Sequence, residues 1–368
     1  MLAEKSLVLI FTFVFLVSAC SSGDSDESDN IIGSDSGNNS SGTWLIPVAK
    51  VKDGGPGKDG IPSIDNPQFV AGNSAEANAL RDNELVVGIF LNGVAKAYPH
   101  TILNWHEVLN DLVSGNNVTL SYCPLTGSAI TWRDATLESD RTFGVSGLLY
   151  NSNLILYDRA TDSNWSQMLQ QAVFGERSGE VLTSKQLLTI ETTWRQWRQW
   201  FPDTLLLSAE TGFSRSYGSY PYGDYLTSSA TLFSVDNQED DRLFAKERAL
   251  GVTIESRTKV YPISQFNADF QVLNESIANI DYVVIGSSSG RFALALSRLH
   301  AGEVLQFQAV FDGQQRHIED QHGRMWDIYG HGVSDEVKGQ RLNMVTHYTA
   351  FWFAWAAFFN DVEIVNIQ

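Results

Sequence analysis

The feature that most limits the possible folds is a repeat. Trp352-x-x-Trp355-x-x-Phe358-Phe359-Asn360-Asp361 matches Trp194-x-x-Trp197-x-x-Trp200-Phe201-Pro202-Asp203 position for position. Upstream of each, the same order of patterns recurs. Lys96-Ala97-Tyr98-Pro99 returns as Lys259-Val260-Tyr261-Pro262. The apolar strand, small-residue turn and second strand of Leu120–Asp134 return over Tyr282–Leu296. Asp158-x-x-Thr161-x-x-x-Trp165 is echoed by Asp320-x-x-Gly323-x-x-Trp326, and Gly179-x-x-Leu182 by Gly339-x-x-Leu342. Chance rarely keeps one order across so many separate patterns. The expected architecture is α+β: a β-rich, internally duplicated fold. Two pseudo-equivalent halves of short antiparallel strands are each closed by an aromatic-striped helix.

Within the first half, Leu85–Leu91 reads as a strand, Asn92-Gly93 as a hairpin turn and Val94–Tyr98 as the return strand. Pro99 then opens a helix expected to run to about Asn110. Ile102, Trp105, Leu109 and Leu112 form its buried face, with His106 and Asn110 along one edge. Val118–Trp132 is a hairpin turning at Cys123-Pro124-Leu125-Thr126-Gly127. Phe143–Leu149 and Leu154–Tyr157 read as further strands. Trp194, Trp197 and Trp200 share one helix face as core, opposite Arg195 and Arg198. The expected organisation is an extended Gly/Pro-rich arm (44–83), a first repeat (84–207), a Ser/Tyr/Gly/Asp-rich connection or insertion over the site (208–245) and a second repeat (246–368).

The amino terminus reads as an export signal. Lys5 precedes the apolar run Leu7–Val17, which is too short for the ~20 residues of a membrane span. Val17-Ser18-Ala19-Cys20 resembles a bacterial lipobox, so residues 1–19 are expected to be a lipoprotein signal peptide and Cys20 the acylated first residue. Ser21 in place of Asp points to the outer membrane. Residues 20–43, rich in Ser, Gly, Asn and Asp, are expected to be a lipidated, acidic, disordered tether. The expected location is the cell envelope, with the membrane as partner through the anchor. The formal charge of −18 argues against a nucleic-acid partner.

With Cys20 lipidated, Cys123 has no partner for a disulfide, and three chemistries centre on it. As a nucleophile it needs a base. His106 is the nearest histidine in sequence, and Asn110 or Glu107 would orient its ring. As a metal ligand it would join His106 and His331 or His347 around copper or zinc, but no H-x-H, C-x-x-C or H-E-x-x-H spacing is present, so no metal set or cofactor is assigned. As one wall of a binding cleft it would stand beside Glu107, Thr126, Tyr150, Asn151, Asp158, Arg159 and Trp165. Their amides, charges and indole suit a small polar or glycan-like ligand. His100, His300, His317 and His322 read as surface or structural residues. No P-loop or paired-carboxylate motif appears. The second half has Gly286-Ser287-Ser288-Ser289-Gly290 where the first has its Cys turn, so a single asymmetric cleft is expected.

Several blocks carry a family resemblance. They are Ala97-Tyr98-Pro99, Leu103-Asn104-Trp105-His106-Glu107, Tyr122-Cys123-Pro124-Leu125-Thr126-Gly127-Ser128, and Phe143-Gly144-Val145-Ser146-Gly147 through Ser152. Tyr157-Asp158-Arg159, Trp165-Ser166-Gln167 and Phe351-Trp352-Phe353-Ala354-Trp355 belong with them. Together they resemble the signature blocks of domain-of-unknown-function family 3179, from about Asp65 to the end. The resemblance implies a bacterial or archaeal protein, often exported, without an assigned activity. Family members commonly carry C-P-L-C-G in the turn. Thr126 replaces the second cysteine here, which argues against a two-thiol mechanism.

Overall fold

The computed structural model describes residues 42–133, 142–311 and 316–367. The expected signal peptide, Cys20 and all but the end of the 20–43 tether lie outside the described residues. No helix among the described residues is long and apolar enough to cross a membrane.

Among the described residues strands dominate, and the longest helices have seven residues. Leu85–Leu91 and Val94–Pro99 pair antiparallel. They join at Asn92 and Gly93, both at positive φ, as a tight right-twisted hairpin requires. Thr189–Thr193 pairs antiparallel on one side, and Leu205–Leu207 pairs parallel on the other. The helix Trp194–Trp200 lies across this sheet with Trp194 and Trp197 fully buried. The Trp197 ring rests directly on Gly88, where a Cβ would come within 2.1 Å of it. In the second half Arg248–Ile254 pairs antiparallel with Arg257–Pro262 and with His347–Phe351, and Glu363–Ile364 adds in parallel. The helix Trp352–Phe358 lies across that sheet, and Trp355 rests on Gly251.

The helix after Pro99 is shorter than its periodicity predicts. It spans His100–His106 and stops because Glu107 takes a φ of +57°. The chain then runs as a strand, Val108–Val113, paired with Asn116–Cys123. The two strands join at a turn through Ser114 and Gly115, both at positive φ. Leu109 is still buried but Leu112 is 60% exposed, as alternation on a strand dictates. His106 and Asn110 therefore do not share a helix edge.

Asn116–Cys123 continues through the Cys turn into Ser128–Arg133. Phe143–Tyr150 pairs with Asn153–Asp158. The 44–83 arm is more than extended coil. It supplies edge strands at Val51–Asp53 and Phe69–Ala71 and a short helix, Ala75–Ala79. Residues 208–245 are mostly turns and drape over the Cys turn. The turns of one half contact the sheet ends of the other. Thr193 N–H donates to Gly290 O at 3.1 Å, and Phe351 N–H donates to Thr126 O at 2.7 Å.

Candidate functional site

Cys123 ends its strand, and Pro124 after it keeps the residue extended. The thiol is buried and donates weakly to Ser152 O, 3.7 Å away. Burial, reinforced by the nearby Glu107, pushes it up to about 11. It is therefore a protonated thiol at neutral pH. His106 Nδ1–H donates to Pro62 O at 2.8 Å, which leaves Nε2 to accept from Tyr217 Oη at 2.6 Å. Both ring nitrogens are taken, and the Cys123–His106 pair expected from the sequence does not form. Asn110 orients no ring either. Its amide donates to Asp65 and Phe143 O and accepts from Thr119 and Phe143 N, tying strands together.

The metal set is not assembled. His331 pairs with Asp327 at 3.1 Å. His347 Nδ1 donates to Val345 O, and burial lowers its pKa to about 4. Among the described residues no group of three or more His, Cys, Asp and Glu side chains is placed to hold a metal ion.

Most of the expected ligand contacts are internal supports. Trp165 is buried and donates its indole N–H to Asp158, which also caps the turn at Thr161. Arg159 reaches Ser63 and Phe143 O. Asn151 binds Ala357 O at 3.0 Å and Asp236 of the insertion, and Tyr150 packs edge-on against Phe358. Thr126 belongs to a buried network with Ser128, Asn153, Gln167 and Ser121 that fixes the Cys turn from beneath.

Above the turn sits a layer of tyrosines from the insertion. Tyr220 Oη donates to Pro124 O, Tyr225 Oη to Leu125 O, and Tyr222 Oη reaches Glu107 at 3.5 Å. Glu107 is buried there, and desolvation raises its carboxyl to about 8.

The open cleft lies on the other side of the turn. It has a volume of about 510 Å³ and is walled by both halves: His100, Tyr122 and Gly127 on one side, Arg248, Ser288 and Arg291 on the other. At its floor His100 Nε2 lies 3.0 Å from Glu191 Oε2, and Arg248 Nη2 lies 3.3 Å from the same oxygen. The His100 and Tyr122 rings stack obliquely at 4.5 Å. Burial, with help from Arg248 and Arg291 and against the pull of Glu191, lowers the His100 pKa. Although close, these groups are misaligned. His100 Nε2, both Glu191 carboxylate oxygens and Arg248 Nη2 are buried without a well-directed hydrogen bond. Buried polar atoms are normally satisfied, and a cluster of exceptions marks a place built for something else.

A second hollow, about 420 Å³, is lined by Asp65, Lys96, Asn110 and Asp111. Its charges already satisfy one another: Lys96 pairs with Asp111 at 2.8 Å, and Tyr98 Oη donates to the same carboxylate. It is the poorer candidate on chemistry.

Sequence reasoning passed over the cleft residues. His100 reads from the sequence as a surface or structural residue, and Glu191, Arg248 and Arg291 lie in none of its motifs. The one usable signal is a difference between the two matched sequence segments: the turn Ser287–Gly290 is followed by Arg291, whereas the Cys turn ends in Gly127-Ser128.

A family model described as protein of unknown function (DUF3179) matches residues 58–362. No curated protein and no solved structure matches the chain.

Proposed function

The chain belongs to the DUF3179 family, and from that premise we propose that it is an exported, lipid-anchored binding protein of the cell envelope. Its ligand is a small polar molecule, taken up in the one asymmetric cleft beside the Cys123 turn. The observation that carries this reading is the set of misaligned buried polar atoms on His100, Glu191 and Arg248 at the floor of an open cleft. A ligand offering matching groups would satisfy them, and binding sites characteristically combine concavity with a few convergent polar groups. Single-thiol catalysis is the weaker reading, because burial raises the Cys123 thiol to about 11 and both His106 ring nitrogens are engaged by Pro62 and Tyr217.

The anchor rests on Leu7–Val17, Ser18-Ala19-Cys20 and the acidic stretch that follows. Outer-membrane placement rests on Ser21. Cys20→Ser should move the protein from the membrane fraction to the soluble one, and the native amino terminus should carry lipid by mass spectrometry.

The cleft lies where two duplicated halves meet, roughly Glu84–Asp203 and Lys246–Asp361. Matched details favour the duplication. Trp197 covers Gly88 as Trp355 covers Gly251. Trp165 donates to Asp158 as Trp326 does to Asp320. Lys96 pairs with Asp111 as Lys259 does with Glu275.

A thermal-shift panel of neutral and charged small molecules tests the binding reading, with Ser264→Trp as the blocked control. Ser264 is an exposed residue of the cleft wall and no member of the His100, Glu191 and Arg248 cluster, so an indole introduced there should fill the cleft. Compounds should stabilise the native protein and not the plugged variant. Equal shifts in both, or none in either, would reject the reading.

A further inference from the structure

We infer that the cleft ligand is a small organic anion whose carboxylate or phosphate head is held between Arg248 and Arg291. The inference rests on the binding reading of this same cleft and adds the ligand's chemical class. The first argument is charge. Lys246, Arg248 and Arg291 line the cleft or its floor against Glu191 and Glu247; Glu84, which also acts on Arg291, is paired with Arg81, so one positive charge stays unmatched in a chain of net charge −18. Lys246 is spent on holding the insertion, donating to Ser228 O and Ala230 O. The unmatched charge therefore falls on the two guanidiniums.

The second argument is donor capacity. The Arg291 guanidinium makes no hydrogen bond or ion pair with described residues; partial burial and the neighbouring Arg248 lower its pKa against the pull of Glu191 and Glu84, and its carbonyl accepts from Arg248 Nη1 at 3.0 Å. That bond draws the two arginines together along one wall. Arg248 Nη2 is buried and misaligned with Glu191. Tyr122 Oη and Ser288 Oγ bond to no described residue and line the same space. These donors outnumber the free acceptors, the two Glu191 oxygens, and an acceptor-rich oxyanion is the complementary shape. Guanidinium forks fit carboxylate and phosphate oxygens in pairs, which ammonium groups do not.

The third argument is the remainder of the lining. Leu226, Phe244, Ile263 and Phe351 give the cleft an apolar flank. A bare inorganic ion would leave that flank and most of the volume unused, so the anion carries an organic body.

Phenylglyoxal modification of Arg291, followed by mass spectrometry on the full mature chain, reads the inference directly. The probes are hexanoate, inorganic phosphate and glucose at constant ionic strength. At a probe concentration of twice its Kd, simple occupancy slows the modification about threefold. Hexanoate should protect Arg291 and glucose should not, and Ser264→Trp should abolish the protection. Protection by hexanoate alone assigns a carboxylate with an apolar body. Protection by phosphate as well assigns the wider oxyanion class. Failure of both anions to protect overturns the inference, as does protection that survives in Ser264→Trp. If the anions fail while a neutral compound gives a thermal shift lost in Ser264→Trp, the anionic class falls and the binding reading stands. If nothing binds, both fall.

Discussion

Arg248 Nη2 lies 3.3 Å from Glu191 Oε2, and the two side chains come from opposite halves of the chain. Glu191 sits at the end of the first sheet and is only 2% exposed in its side chain; Arg248 opens the second sheet and is 13% exposed. The pair therefore couples the stability of the molecule to the integrity of its cleft.

Removing the cation strands a buried carboxylate. Arg248→Met should destabilise the protein by about 3 kcal/mol, and adding Glu191→Leu should recover much of that loss. Urea unfolding of the two single variants and the double variant supplies the cycle. Additive losses would mean that the two residues do not interact.

Glu107 predicts a pH dependence with a definite sign. Its folded-state pKa of about 8 lies above the ordinary 4.5, so between those values the folded protein holds a proton that the unfolded chain has lost. Stability contributed at this site therefore falls as pH rises from 4.5 to about 8 and is flat above. Glu107→Gln should remove this slope and be the more stable protein at pH 8, by on the order of a few kcal/mol. Denaturant midpoints from pH 5 to 9 check this, and parallel curves for both proteins would refute it.

Gly88 and Gly251 each lie beneath a tryptophan ring, with only 2.1 and 2.3 Å available to an added Cβ. Gly88→Ala and Gly251→Ala should each cost ~2 kcal/mol through overpacking. Similar losses at the two positions in thermal unfolding are what duplicated halves require. A large loss at one and none at the other would argue against equivalent packing.

Cys123 should resist alkylation. With its thiol near 11 and its side chain buried, iodoacetamide labelling in the folded protein should be slow at pH 7–8 and unchanged by His106→Ala. Fast labelling that depends on His106 would restore the nucleophile reading.

The hairpin at Asn92-Gly93 and the strands flanking the Cys turn were legible because alternation and turn residues act locally. The end of the His100–His106 helix was not. Glu107 takes positive φ with no glycine or proline nearby to announce it. That single residue redirected Asn110 away from His106 and turned Leu112 outward. Proximity in sequence placed His106 beside Cys123 but could not say where its ring nitrogens point, and they point at Pro62 and Tyr217. The cleft was illegible for a different reason. His100, Glu191, Arg248 and Arg291 are separated along the chain and meet only because Thr189–Thr193 pairs with Leu85–Leu91 and Gly290 accepts from Thr193.

The most direct test of the cleft as the binding site is the hydrogen-exchange footprint of the strongest binder found in the thermal-shift panel. Exchange should slow at residues 122–127, 246–248 and 288–291, the segments that wall the cleft. Protection confined to 65–69 and 110–119, the lining of the second hollow, would contradict the account.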